Sequence, residues 1–331
     1  MGLSQGASTP DTAILEVRDL HVEFRTKRGV GRAVNGATFS LRAGETLGLV
    51  GESGSGKTIT ALSIIGLHPQ PAARIAGGAI LFHGQDLSRM SPSELRKYRG
   101  RRVGLIPQDP TTSLNPVFSI AEQILETLRM HRPLKGPALR ERAVQLLSLL
   151  HIAAPRERLR AFPHQLSGGM RQRIVGAIVL GGEPELIIAD EPTTSLDATV
   201  QSAYLELLRE IQEKTGTAIL FITHDFGVVA ALCDRVAVMY AGYVVETAPT
   251  KTLFDRPAHP YTQALIASVP DLDTVPERLP SIEGQPPSIY ALPRGCPFAS
   301  RCAHVIDKCR QEFPPVRQLD PEHTVACWLY E

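Results

Sequence analysis

No apolar run in this sequence approaches the roughly 18 residues that a membrane-spanning helix requires, which argues against a span of its own. Charge of one sign is missing too: 35 Lys and Arg against 34 Asp and Glu leave a formal net charge of +1. That balance argues against a domain-wide basic face for nucleic acid or an anionic membrane, and leaves room only for a local patch. Met1–Thr12 is polar and small, without a charged n-region and an apolar h-region, so no signal peptide is expected. The expected compartment is the cytosol, with any membrane part supplied by a partner. Repeats and low-complexity stretches are absent. Cysteine is scarce, at five residues, and four of them, Cys296, Cys302, Cys309 and Cys327, lie near the C-terminus. In a cytosolic chain such a cluster points to a metal or cluster site before disulfides. Cys233 stands apart from them and reads as a core thiol.

The rest of the composition, 43% hydrophobic and 21% charged, suits a globular chain that buries a core, and 331 residues suggest two or more structural units. The most informative stretch is Gly51-Glu52-Ser53-Gly54-Ser55-Gly56-Lys57-Thr58, which reads G-x-x-x-x-G-K-T. It follows the apolar Thr46–Val50 and precedes Ile59–Ile65, the strand, glycine loop and helix order of a phosphate-binding loop. Gly51, Gly54 and Gly56 let backbone N–H groups turn inward without a Cβ clash. With the positive end of the following helix they form an anion cradle. Lys57 can reach the β- and γ-phosphates, and the Thr58 hydroxyl can ligate Mg²⁺.

Ile14–Phe24 and Ala33–Leu41 read as strands on either side of a basic turn, Arg25–Arg32, and predict an antiparallel layer before the phosphate-loop strand. Gly77–Phe82 is a short strand, Ser91-Pro92-Ser93-Glu94 a capped helix start, and Val103–Pro107 a strand ended by proline. Ile120–Met130, Ala138–Leu150 and Arg156–Ala161 carry helical spacing, which predicts a helical subdomain over 109–165. The α/β pattern resumes with a helix from Ser167. Buried strands Leu186–Ala189 and Ala218–Ile222 then flank the amphipathic helix Val200–Lys214, and Val236–Tyr240 with Tyr243–Val245 forms a hairpin. Strands alternating with helices predict an α/β fold with a mostly parallel sheet covered on both faces. From Ala248 proline becomes frequent, as at Pro249, Pro257, Pro270, Pro276 and Pro280. The expected divisions are a loose tail over 1–12, an α/β domain over 13–247 and a separate extension over 248–331 that adds nothing to the sheet.

Two further stretches carry chemistry. Leu186–Glu191 is an apolar strand ending in two carboxylates. Asp190 can hold Mg²⁺ through its water shell. Glu191 would face the γ-phosphate and position or deprotonate the attacking water. In Leu166-Ser167-Gly168-Gly169-Met170, Ser167 is placed to cap a helix whose first N–H groups two glycines leave bare. Such a helix end is a second phosphate site, which one nucleotide needs only if each site is shared between two chains.

These stretches resemble the ATP-binding-cassette ATPases over nearly the whole chain. Gly51–Thr58 looks like Walker A, Leu186–Glu191 like Walker B with its glutamate, and Leu166–Met170 like the signature, with Met170 where glutamine is commonest. Gln108 is similar to the Q-loop glutamine, Ser195-Leu196-Asp197 to the D-loop and His224 to the switch histidine. Phe24 is placed as the aromatic that stacks on adenine, a role Arg28 or Val30 could also fill. The resemblance implies a RecA-like P-loop NTPase fold with an antiparallel β layer, and hydrolysis of ATP with Mg²⁺. Lys57, Gln108, Glu191 and His224 would be catalytic. Phe24, Gly51, Ser53, Gly54, Ser55, Gly56, Lys57, Thr58, Ser167, Gly168, Gly169 and Asp197 would bind ATP, and Thr58, Gln108 and Asp190 would hold Mg²⁺.

Phe254-Asp255-Arg256-Pro257-Ala258-His259-Pro260-Tyr261-Thr262 and the cysteine-bearing tail resemble the oligopeptide/dipeptide (and nickel) importer ATPases. That implies two membrane permease subunits, a paralogous ATPase as heterodimer partner, an extracytoplasmic peptide-binding protein and no nucleic acid, at the cytoplasmic face of the membrane. A nickel or other solute importer is the alternative cargo. A soluble cassette ATPase acting on nucleic acid or ribosomes is the alternative class. The cysteine spacings match no common zinc-finger or ferredoxin pattern, yet four thiolates suit an S₄ centre, zinc or iron–sulfur. The resemblance implies a 4Fe–4S cluster there.

Overall fold

The computed structural model describes residues 13–269 and 282–331. The tail expected over 1–12, and Pro270, Pro276 and Pro280, lie outside the described residues. Among the described residues twelve strands occur: β1 (Ala13–Thr26), β2 (Gly29–Arg42), β3 (Thr46–Val50), β4 (Ala73–Phe82), β5 (Gln85–Asp86), β6 (Val103–Ile106), β7 (Leu186–Asp190), β8 (Ala218–Thr223), β9 (Arg235–Tyr240), β10 (Tyr243–Pro249), β11 (Val316–Asp320) and β12 (His323–Ala326). No described helix is long and apolar enough to cross a membrane. The chain divides into two compact units. Described residues of 42–45 and 90–222 make one, and those of 13–41, 46–89 and 223–331 make the other.

In the first unit β6, β7 and β8 pair in parallel, with Val103 opposite Leu186 and Leu186 opposite Ala218. Every residue of β7 and β8 is buried, as expected of strands covered on both faces. Helices run over Ile120–His131 and Pro137–Leu149. Ile120, Ile124 and Leu128, spaced four apart, form the buried stripe of the first. Ser119 starts that helix through a capping box: Glu122 N–H donates to its hydroxyl, and its own N–H donates to the Glu122 carboxylate at 2.7 Å.

In the second unit β2-β1-β4-β5 form a four-stranded sheet, the antiparallel layer that was expected. Its hairpin is tighter than the basic stretch suggests. Both strands run into Arg25–Arg32 and leave only Lys27 and Arg28 as the turn. β3 pairs in parallel with β9, and β9 is antiparallel to β10. Cys233 is buried as expected. Its Sγ lies where a Cβ on Gly48 would come within 2.9 Å, so Gly48 makes room for it.

The C-terminal extension corrects one expectation, because it adds two strands to this sheet. β12 pairs with β10, Val325 opposite Glu246, and β11 pairs with β12. Without β12 the outer edge of β10 would be unpaired, a costly exposure of backbone donors and acceptors. Two strands of four and five residues are too short to show against so much proline.

Candidate functional site

In the second unit the phosphate loop is built by backbone geometry. Gly51 has φ +151° and Gly56 φ +104°. A Cβ would meet the Met239 carbonyl at 2.1 Å from Gly51, and the Ala33 carbonyl at 2.6 Å from Gly56. Glycine is thus required twice over, by torsion and by close approach. The β9–β10 turn braces the loop: Gly242 N–H donates to Ser55 O at 2.9 Å, and the Asn35 amide donates to Ala241 O at 2.9 Å.

Gly56 gives the helix Lys57–Ile64 no side-chain cap, which leaves its first N–H groups for an anion. The Ser55 hydroxyl is buried and has no hydrogen-bond partner among the described residues. Lys57 is buried and donates to Gly51 O at 2.7 Å and Glu52 O at 3.0 Å. An orphaned hydroxyl, bare helix N–H groups and an ammonium resting on two loop carbonyls make a donor set that fits phosphate oxygens. Thr58 follows with an exposed side chain.

Glu52, which the sequence reading passed over, is held from three sides. Its N–H donates to the Tyr261 hydroxyl at 2.8 Å. Its carboxylate takes a two-pronged bond from Arg301, at 2.7 and 2.9 Å. Its carbonyl receives Lys57. Phe24 lies on β1 opposite Ala73 and is half-buried. His224 is exposed, just past β8.

In the first unit β7 delivers Asp190, 5% exposed, and then Glu191. Glu191 has φ +45°, a strained value for a side-chain-bearing residue and frequent at functional positions. Its N–H is fixed on Ile222 O at 2.9 Å. Gln108 donates to the Glu191 carboxylate at 3.1 Å, so two residues 83 apart in sequence meet. Thr194 also donates to that carboxylate, at 3.2 Å, a contact the motif reading did not find. Ser167 caps the helix Gly168–Gly181 by accepting Met170 N–H at 3.3 Å. Asp197 caps Ala198–Thr215 by accepting Val200 N–H at 3.0 Å. Gly169 faces Val200, where a Cβ would come within 2.6 Å of the valine methyl. A larger residue at 169 would therefore press the two capped helices apart.

Cys296, Cys302, Cys309 and Cys327 line one cavity of the second unit with His259, Phe298 and Trp328. Burial pushes the Cys296 thiol up to about 12 and raises Cys302 and Cys327 as well. The wholly buried His259 is held down to about 3 by burial. Its Nδ1 accepts Tyr261 N–H at 3.0 Å, which leaves the proton on Nε2, and Nε2 has no partner among the described residues. The cavity thus brings four thiols and a buried imidazole together. Against the expectation of a closed metal site, however, no three His, Cys, Asp or Glu among the described residues converge tightly enough to hold one ion.

Two families match the sequence: ABC transporter over residues 34–194, and oligopeptide/dipeptide transporter, C-terminal region, over 245–309. The dipeptide transport ATP-binding protein DppD of Bacillus subtilis is 48% identical over 318 residues, covering 96% of this chain and 95% of the relative. A probable peptide ABC transporter ATP-binding protein of Sinorhizobium fredii is 47% identical, covering 95% and 94%. The oligopeptide transport ATP-binding protein OppD of Bacillus subtilis is 46% identical, covering 96% and 89%. A dimeric bacterial ABC transporter cassette superposes with a TM-score of 0.64 at 24% identity, over 71% of this chain and 98% of that one, which is a likeness of fold. An ABC transporter component from Clostridium perfringens gives a TM-score of 0.64 at 28% identity, over 74% and 92%.

Proposed function

This chain belongs to the ABC transporter ATP-binding proteins, and we propose that it is the ATP-hydrolysing subunit of an importer for di- and oligopeptides. The observation that carries the cargo is the oligopeptide/dipeptide C-terminal region, fused here to a complete set of nucleotide motifs. The close relatives, named for dipeptides, oligopeptides and peptides, support it.

The residues take these roles. Loop 51–58 receives the β- and γ-phosphates, and Lys57 leaves the Gly51 and Glu52 carbonyls to bind them. Thr58, Gln108 and Asp190 are the residues for Mg²⁺, which neutralises charge on those phosphates when bound. Glu191, oriented by Gln108 and Thr194, takes a proton from the attacking water. His224 senses the γ-phosphate, and Phe24 stacks on adenine. Ser167, Gly168 and Gly169 present a bare helix end to a nucleotide held by a second cassette, and Asp197 braces the helix beside it. The partners are two membrane permeases, a paralogous ATPase and an extracytoplasmic binding protein, which would place the chain at the cytoplasmic membrane face. The cysteine cavity would hold a 4Fe–4S cluster, a reading supported by its four thiols and the His259 Nε2 donor.

Uptake of a labelled dipeptide into liposomes bearing the whole transporter tests this. Uptake should require ATP and vanish with Lys57→Ala. Nickel uptake without peptide uptake would reassign the cargo.

A further inference from the structure

A carboxylate inside a phosphate-binding loop is an electrostatic contradiction. Glu52 is the first residue after Gly51, and its carbonyl lies 3.0 Å from the Lys57 ammonium that is to meet the phosphates. The carboxylate that the same residue carries in the loop would repel a bound triphosphate. We propose that Arg301 and Tyr261, both from the C-terminal region, are positioning residues of the phosphate loop, and that Arg301 cancels the negative charge of Glu52 so that the loop can bind nucleotide.

The geometry around Arg301 is that of a fixed counter-charge rather than a surface ion pair. Its side chain is 4% exposed. Its Nη1 and Nη2 fork onto the two Glu52 oxygens at 2.7 and 2.9 Å. The remaining donors serve the Tyr240 hydroxyl at 3.1 Å, Ile282 O at 3.2 Å and Glu283 O at 2.9 Å. Five N–H donors thus meet five acceptors, which locks the fork in place. The guanidinium also lies over the Tyr240 and Phe298 rings, at 5.8 and 5.9 Å. Tyr261 takes the Glu52 N–H, and its ring packs on Tyr240 and Phe298. Side chain and N–H of one loop residue are therefore both set by the C-terminal region. Arg301 directly precedes Cys302, which lines the cysteine cavity.

This rests on loop 51–58 being the nucleotide site, and the test separates the two claims. ATP and ADP affinities are measured by calorimetry on the full chain without Mg²⁺, so that nothing is hydrolysed. The net charge at the pair is zero in the wild type, −1 in Arg301→Gln, +1 in Glu52→Gln and zero again in the double variant. Affinity for ATP should follow that ladder: Glu52→Gln tightest, wild type and double variant alike, Arg301→Gln weakest by about tenfold, with a smaller loss for ADP. A merely structural contact would weaken both single variants and leave the double variant weak. That pattern, or unchanged affinity in Arg301→Gln, overturns the proposal. Should Arg301→Gln fail to fold, Glu52→Gln alone decides: tighter ATP binding supports the counter-charge, and unchanged or weaker binding refutes it. Normal ATP binding by Lys57→Ala would instead refute the loop as the nucleotide site.

Discussion

Glu191 shows how much one residue's surroundings matter. Its backbone is held at φ +45° by an N–H bond to Ile222 O, and its carboxylate is pinned by Gln108 and Thr194. Both side chains donate to its Oε2 and so hold the carboxylate in one orientation. Glu191→Gln keeps the size and loses the base. It should still bind ATP while turnover falls by about 10²–10⁴-fold, which a phosphate-release assay reads. Turnover at the wild-type rate would move the base elsewhere. Residues of this kind were legible because each motif is local: a glycine loop, an apolar strand ending in acids and a capped helix announce themselves within eight positions. Glu52 was not legible as a hub, because Tyr261 and Arg301 lie 209 and 249 residues away. Thr194 was missed for a different reason, since a hydroxyl three residues from an acid carries no signal until the turn is seen.

Elements show the same division. Strands with strong apolar runs, β3, β7 and β8, stand where the sequence put them, as does the helix capped by Ser167, whereas the caps Ser119 and Asp197 were not read from the sequence. Periodicity and caps are short-range signals, and short-range structure follows them. The extension beyond Ala248 was misread as standing outside the sheet, because β11 and β12 exist only through pairing with β10 and each other. Such strands have little intrinsic signal, and a distant edge decides them. The same extension gathers four cysteines that spacing alone could not assign to any known pattern. A 4Fe–4S centre there predicts iron and acid-labile sulfide in anaerobically purified protein, with both lost in Cys302→Ser. Zinc in their place, or no metal, would reject the cluster.

For the whole molecule, the sequence states its family more plainly than its partners. The nucleotide motifs of the two units and the C-terminal region together describe an ATPase of the ABC transporter family. In the proposed importer, cargo acts on the ATPase subunit through coupling: a loaded binding protein outside must change hydrolysis inside. The most direct measurement is therefore the rate of ATP hydrolysis by this chain in liposomes, with the proposed partner ATPase and permeases, as peptide-loaded and peptide-free binding protein are supplied in turn. The peptide-loaded protein should raise the rate several-fold, and Lys57→Ala should abolish the rise. Hydrolysis that ignores the peptide, with every component present and folded, would contradict the assignment of this chain to peptide import.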